Sequence, residues 1–174
     1  MIKQNKEFIQ AFRQEHPEAF PRVLEVGSRI AGLGGGEEIR TYFGDATEYI
    51  GSDMEGGPNV DIVVNGHDLV KEFGENSFDM VLCLDTLEHD DAFWLTAEQM
   101  RRVVKPGGWM IICTPGPHCP EHNHPGDYWR FMPQSMQQLF GNFAEFIMES
   151  PCFDPSNHRP ENFCEIMGKG MKPL

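Results

Sequence analysis

The sequence is short of positive charge. Its 174 residues carry 14 Lys and Arg against 27 Asp and Glu, a formal net charge of −13. Affinity for a phosphate backbone comes from Lys and Arg displacing condensed counterions, so this excess of anions excludes a nucleic-acid partner unless one face is locally basic. No such run exists: the densest basic stretch is Arg101, Arg102 and Lys105, inside a helical pattern. Long apolar runs are also missing. Nothing approaches the roughly 18 residues that span a bilayer, and Met1-Ile-Lys-Gln-Asn-Lys-Glu7 lacks the apolar stretch of a leader. The expectation is a soluble, cytoplasmic protein with no membrane partner. Five cysteines are an odd number, and Cys83 and Cys113 lie in apolar runs where a free thiol acts as a small hydrophobe, so no disulfide framework is expected. Repeats and linkers are absent too, and the length suits a single domain over residues 1–174.

Glycine and proline, by contrast, are plentiful at 18 and 13. They gather in two loops, 27–36 and 115–126. Between the loops the pattern alternates. Residues 3–15 space Phe8, Ile9 and Phe12 as an amphipathic helix within an N-terminal segment 1–20, stopped by Pro17 and Pro21. Strands are predicted at 22–26, 48–53, 60–64, 77–84 and 109–114, with helices near 37–43, 69–73 and 92–104. Lys105-Pro-Gly-Gly108 ends the last of these, Gly supplying a left-handed cap. Residues 115–131 form a long loop suited to a substrate lid. A helix at 134–140 and strands at 143–149 and 162–168 follow.

Strands alternating with helices predict an α/β domain, a Rossmann-like doubly wound and mostly parallel seven-stranded sheet with helices on both faces. No helix separates the last two strands, so the final one is expected to insert antiparallel. In such sheets ligands bind beyond the carboxyl ends of the strands, where the polar residues become the site candidates.

Five segments carry a resemblance: Val23-Leu-Glu25-Val-Gly27-Ser, Ile50-Gly-Ser-Asp53, His67-Asp68-Leu69, Ser77-Phe-Asp-Met-Val-Leu-Cys-Leu-Asp85-Thr-Leu-Glu88-His89, and Met100-Arg-Arg-Val-Val-Lys-Pro-Gly-Gly108. In order and spacing they resemble the class I S-adenosylmethionine-dependent methyltransferases, over about residues 22–115. Asp127-Tyr-Trp-Arg-Phe131 looks like a segment of small members of that family. The resemblance implies the cofactor S-adenosyl-L-methionine, the product S-adenosyl-L-homocysteine, and a set of roles. Glu25 would reach the cofactor ammonium, and Gly27 and Ser28 would form the turn at its methionine end, where a Cβ would collide. Asp53 would accept both ribose hydroxyls, Met54 would cover the adenine, Asp68 would accept from the adenine amino group, and the Leu69 N–H would meet a ring nitrogen. Leu84 and Asp85 would hold the ammonium end. A carboxylate such as Glu25 in an apolar strand is costly to bury without a partner, whereas Asp53 and Asp68 also suit helix N-caps. The first loop departs from the family: Gly27-Ser-Arg-Ile-Ala-Gly32-Leu-Gly34-Gly-Gly36 brings its glycines late. Arg29 occupies the second glycine of a nicotinamide fingerprint, which argues against dinucleotide binding.

Methyl transfer is an in-line displacement at an activated sulfonium, so the protein needs mainly positioning and, for hydroxyl or amine acceptors, removal of a proton. His89, His122 and His124 are the candidate bases, since imidazole titrates near neutrality. His118, Tyr128, Trp129 and Arg130 are the candidate acceptor contacts. Arg130 is equally suited to an ion pair with Asp127. His118-Cys-x-x-His122-x-His124 offers zinc ligands but matches no standard zinc spacing, and no metal is assigned. The expected function is methyl transfer to a small-molecule or saccharide-like acceptor, with a second copy of the chain as a candidate partner. The alternatives are an S-adenosylmethionine-cleaving enzyme and a non-catalytic cofactor-binding regulatory module.

Overall fold

The structure, a computed structural model, describes residues 3–30, 36–122, 126–149 and 165–174. His124, Gly32 and Gly34 lie outside these residues, as do Cys152 and Cys164. In chain order the elements are α1 (Lys3–Glu15), β1 (Arg22–Val26), α2 (Gly36–Tyr42), β2 (Glu48–Asp53), β3 (Ile62–Val63), α3 (Leu69–Phe73), β4 (Phe78–Leu84), α4 (Phe93–Val103), β5 (Val104–Pro115), α5 (Pro133–Phe140), β6 (Ala144–Glu149) and β7 (Glu165–Met171). Short 3₁₀ turns cover Gly66–Asp68 and Leu87–His89.

Seven strands form one sheet in the order β3-β2-β1-β4-β5-β7-β6. Strands β1 to β5 pair in parallel, and β7 inserts antiparallel between β5 and β6. The order reverses between β1 and β4, which opens a crevice at the carboxyl ends of β1, β2 and β4.

The central strands are apolar on both sides because both sides are covered. Leu24, Val26, Val81, Cys83, Met110 and Ile112 face a core closed by Leu69 of α3, Met100 and Val103 of α4, and Leu139 and Phe140 of α5. The alternate residues Val23, Met80, Leu82, Leu84, Ile111 and Cys113 face Phe8, Ile9 and Phe12 of α1 and Ile39 of α2. This period-two division of one apolar run between two cores is what a buried parallel strand requires. Cys83, Cys113 and Cys119 are free, buried thiols.

Three boundaries differ from the sequence reading. β3 spans only Ile62–Val63 instead of 60–64, because the partner strand offers it just Ser52 and Asp53 for pairing. α4 ends at Val103, and Lys105-Pro-Gly-Gly108 belongs to β5. There the register jumps from Phe78 opposite Val104 to Met80 opposite Trp109. Gly107, at φ +76°, therefore turns a bulge that pairs with Lys172 near the chain end, and does not cap the helix. The last strand continues to Met171, past the expected end at 168, while 162–164 lie outside the described residues.

Candidate active site

Beyond the carboxyl ends of β1, β2 and β4 lies a cleft of about 400 Å³. Val26, Gly27 and Arg29 line it from the end of β1, and Ser52, Asp53, Met54 and Glu55 from the end of β2. Val64, Asn65, Gly66 and His67 follow β3, and Asp85, Thr86, His89, Asp90 and Asp91 follow β4, with Thr96 of α4 and Tyr128 completing the wall. Asp53, Glu55, Asp85, Asp90 and Asp91 face the single guanidinium of Arg29, which Glu55 engages at 2.9 Å. Such a lining favours a cationic ligand.

The first turn is built for close approach. Gly27 sits at φ +72°, its N–H donating to the Ser52 carbonyl at 2.8 Å. Ser28 is buried away from the cleft and holds the turn, its hydroxyl donating to the Asn59 carbonyl at 2.9 Å. Asp53 accepts from the backbone N–H of Glu55 at 2.9 Å and of Arg29 at 3.3 Å, which fixes the carboxylate at the rim. Met54 is 63% exposed and presents an apolar face.

Several expected contacts fall elsewhere. Glu25 lies on the α1/α2 side of the sheet, where Tyr49 Oη donates to it at 2.8 Å and Asn59 Nδ2 at 3.0 Å. Burial pushes its carboxyl up to about 7, with those two donors opposing the shift. Its partners are thus within the protein. Asp68 is exposed and Leu69 is buried in the core; neither lines the cleft. The positions that do are Asn65, Gly66 and His67, one turn earlier. Leu84 is buried as well, its carbonyl accepting from the Thr86 hydroxyl at 3.0 Å.

Asp85 does line the cleft, at φ +50°, and Asn5 Nδ2 of α1 donates to both its oxygens at 3.0 Å. The N-terminal helix thereby does more than pack, a role that one Asn in an amphipathic pattern does not announce. Glu165, at the start of β7, is raised to about 9 by burial and by the Asp85 charge. Behind the opposite wall Asp90 accepts from Thr96 Oγ1 at 2.6 Å and lies 3.0 Å from His67 Nε2.

Residues 126–131 fold back onto the turn after β4. Tyr128 N donates to the Glu88 carbonyl at 2.8 Å, and Trp129 Nε1 donates to the Asp90 carbonyl at 2.9 Å. Tyr128 reaches the cleft, whereas Trp129 packs against Phe93 and Trp94, and His118 is exposed outside the cleft. Arg130 turns inward. Its N–H groups engage both Asp127 oxygens and the carbonyls of Cys119, Pro120 and Trp129, so the ion pair is realised and no donor remains for an acceptor. That pairing holds the Asp127 carboxyl well below the usual range.

His89 and His122 come together with ring centroids 5.1 Å apart. Between them stands Glu88, which is fully buried. Burial raises its carboxyl, and the same carboxylate raises the His122 imidazole.

Residues 31–112 match the family model described as a methyltransferase domain. No curated protein matches the chain in sequence. Among solved structures, a SAM-dependent methyltransferase from Archaeoglobus fulgidus is 16% identical, with TM-score 0.68 over 96% of this chain and 94% of its own. The chain shares the fold of that methyltransferase. Phosphoethanolamine N-methyltransferase 2 from Haemonchus contortus, in complex with S-adenosyl-L-methionine, is 16% identical with TM-score 0.66. It aligns over 99% of this chain, which spans about half (53%) of that one. A Burkholderia thailandensis 1,6-didemethyltoxoflavin-N1-methyltransferase, with its substrate and S-adenosylhomocysteine bound, is 15% identical with TM-score 0.66 over 97% of this chain and 78% of its own.

The cleft fits S-adenosylmethionine by its own chemistry. A fixed carboxylate, Asp53, stands where the ribose of a nucleoside is bound in doubly wound sheets. Met54 offers a flat apolar contact beside it, and the acidic lining complements a ligand carrying sulfonium and ammonium charges. Among the described residues no helix is long and apolar enough to cross a membrane.

Proposed function

We propose that the chain is an S-adenosylmethionine-dependent methyltransferase that acts on a small molecule of metabolite size, which enters beside His89 and Tyr128. The observation that carries this reading is the cleft itself: at about 400 Å³ it suits a nucleoside-sized ligand and leaves its open wall to a short segment. That wall consists of the turn after β4 and the residues that fold back on it. The two relatives named for their acceptors, phosphoethanolamine and 1,6-didemethyltoxoflavin, act on small molecules, which supports the same reading.

S-adenosylmethionine supplies the methyl group, already activated on a sulfonium. The chain's residues bind and orient. Asp53, Met54 and the backbone of 65–67 hold the nucleoside end. Gly27 and Asp85 hold the methionine end, with Asn5 fixing the Asp85 carboxylate. His89, on the cleft wall, stands beside the position from which the proton of a hydroxyl or amine acceptor leaves.

The test is product formation. Purified protein, S-adenosylmethionine and a panel of small hydroxyl and amine compounds should release S-adenosylhomocysteine with one of them. Cofactor breakdown without an acceptor would point to cleavage. Calorimetric binding without turnover of any compound in the panel, joined to methylation of a protein partner, would overturn the small-molecule acceptor.

A further inference from the structure

The buried carboxylate Glu88 has no hydrogen-bond donor on either oxygen, although the residue is 0% exposed. An ionised carboxylate in that position is costly unless something cationic satisfies it. Two imidazoles face it: His122 Nε2 lies 3.5 Å from Glu88 Oε1, and His89 Nε2 lies 3.6 Å from the same oxygen. Both separations exceed the roughly 2.7–2.9 Å of a charge-assisted hydrogen bond. They match the edge of a coordination tetrahedron, roughly 3.4 Å when ligand distances are near 2.0–2.1 Å.

The other nitrogen of each ring is already engaged. His89 Nδ1 contacts the Gly126 carbonyl, and His122 Nδ1 lies 3.3 Å from the Pro120 carbonyl. A carbonyl can only accept, so each Nδ1 carries a proton, which leaves each Nε2, on the side of Glu88, as the atom that an ion would take. A carbonyl behind each imidazole is the arrangement that orients histidine ligands. The backbone is held as well, His122 N donating to Asp127 at 2.7 Å, and Arg130 clamps Asp127 in turn. All three ligand atoms lie within 4.8 Å of one another.

We propose that Glu88, His89 and His122 bind a divalent transition-metal ion of the zinc class. Two imidazoles and one carboxylate suit that chemistry, and three protein ligands leave a fourth position open. His89 also lines the cleft, so the ion stands at the acceptor wall with its open position available to water or an acceptor heteroatom. The part of this inference that concerns the acceptor rests on the small-molecule reading above; the ion's binding does not. The sequence pattern concealed the site because two ligands follow β4 and the third arrives 33 positions later, outside any standard zinc spacing.

The test uses the full chain, dialysed against chelator and titrated with Zn²⁺ or Co²⁺ alone. One equivalent should bind, and Co²⁺ should develop the visible absorption of a four-coordinate site. Glu88→Gln and His122→Ala should each weaken binding by more than about tenfold. His122 is partly exposed, so its removal leaves the fold intact, as circular dichroism would check. Absence of stoichiometric binding, or wild-type affinity in both variants, overturns the proposal. Calorimetry with S-adenosylmethionine on the same samples separates the two readings: cofactor binding without metal binding defeats only the ion site, and metal binding without cofactor binding defeats only the function.

Discussion

Thr86 occupies the space that a side chain on Gly27 would need. A Cβ built there would lie 2.1 Å from Thr86 Oγ1 and 2.3 Å from its Cγ2, and Gly27 already has φ +72°. The resemblance to the family explains this glycine by the nearness of the cofactor; within the chain, the turn after β4 is the nearer constraint. Gly27→Ala combines backbone strain with a clash that Thr86 cannot relieve by rotating, since its own Cβ is 2.7 Å away. The variant should lose on the order of 2 kcal/mol of stability or more. It should also bind S-adenosylmethionine at least about tenfold more weakly, because the two turns that would separate both line the cleft. Wild-type affinity by calorimetry would show that the contact is dispensable.

Asp53 is the carboxylate best placed to meet ribose hydroxyls. Charge-assisted hydrogen bonds contribute about 1.5–3 kcal/mol each, so Asp53→Ala should weaken S-adenosylmethionine binding by roughly 10- to 100-fold. Asp53→Asn keeps one acceptor oxygen, enough for the shorter bond from the Glu55 N–H though not for the Arg29 N–H as well, and should lose less than Asp53→Ala. Equal losses in the two variants would mean that charge alone matters at this rim.

Much of the fold was legible because strands buried on both faces leave long apolar runs, and Val23 through Val26, Met80 through Leu84 and Trp109 through Cys113 are such runs. Asp53, Met54 and Asp85 line the crevice for a related reason: each ends a strand or directly follows one, and such positions fall there. Asp68 and Leu69 do not line it. In a 3₁₀ turn a shift of one or two residues rotates a side chain from the cleft to solvent or core, and spacing alone does not resolve it. Arg130 shows a different limit, since three of its partners are backbone carbonyls, which leave no trace in side-chain pattern. Glu88 was visible only as part of a motif, because what distinguishes it is the lack of a donor in three dimensions.

Glu25 links the β1 strand to pH. Its carboxyl titrates near 7 in the folded chain against an ordinary 4.5, chiefly through burial. Between those values the folded state holds a proton that the unfolded state has released. The associated stability is therefore present below about pH 4.5 and is lost as pH rises through 7. The shift corresponds to on the order of 3 kcal/mol. Glu25→Gln retains an oxygen for Tyr49 and Asn59 but cannot ionise, so its stability relative to the wild type should increase from pH 5 to pH 8. Denaturant unfolding at several pH values measures this, and parallel profiles for the two proteins would place the titration elsewhere.

Arg130 holds the loop that carries His122 and Tyr128. Arg130→Ala removes the donors on Asp127, Cys119, Pro120 and Trp129 together, and leaves the Asp127 carboxylate, only 1% exposed at its side chain, without its cation. Unsatisfied buried groups of this kind cost about 1–3 kcal/mol, and for a chain of this length each kcal/mol lowers the melting temperature by roughly 2–4 °C. A fall of roughly 4–8 °C is expected. Arg130→Lys restores a charge beside Asp127 but not the planar fork that reaches several carbonyls at once, so it should recover less than half of that loss. The cofactor side of the cleft makes no contact with this side chain, and S-adenosylmethionine affinity should change less than turnover does. A variant that melts like the wild type yet has lost its turnover would instead put the guanidinium on the acceptor itself.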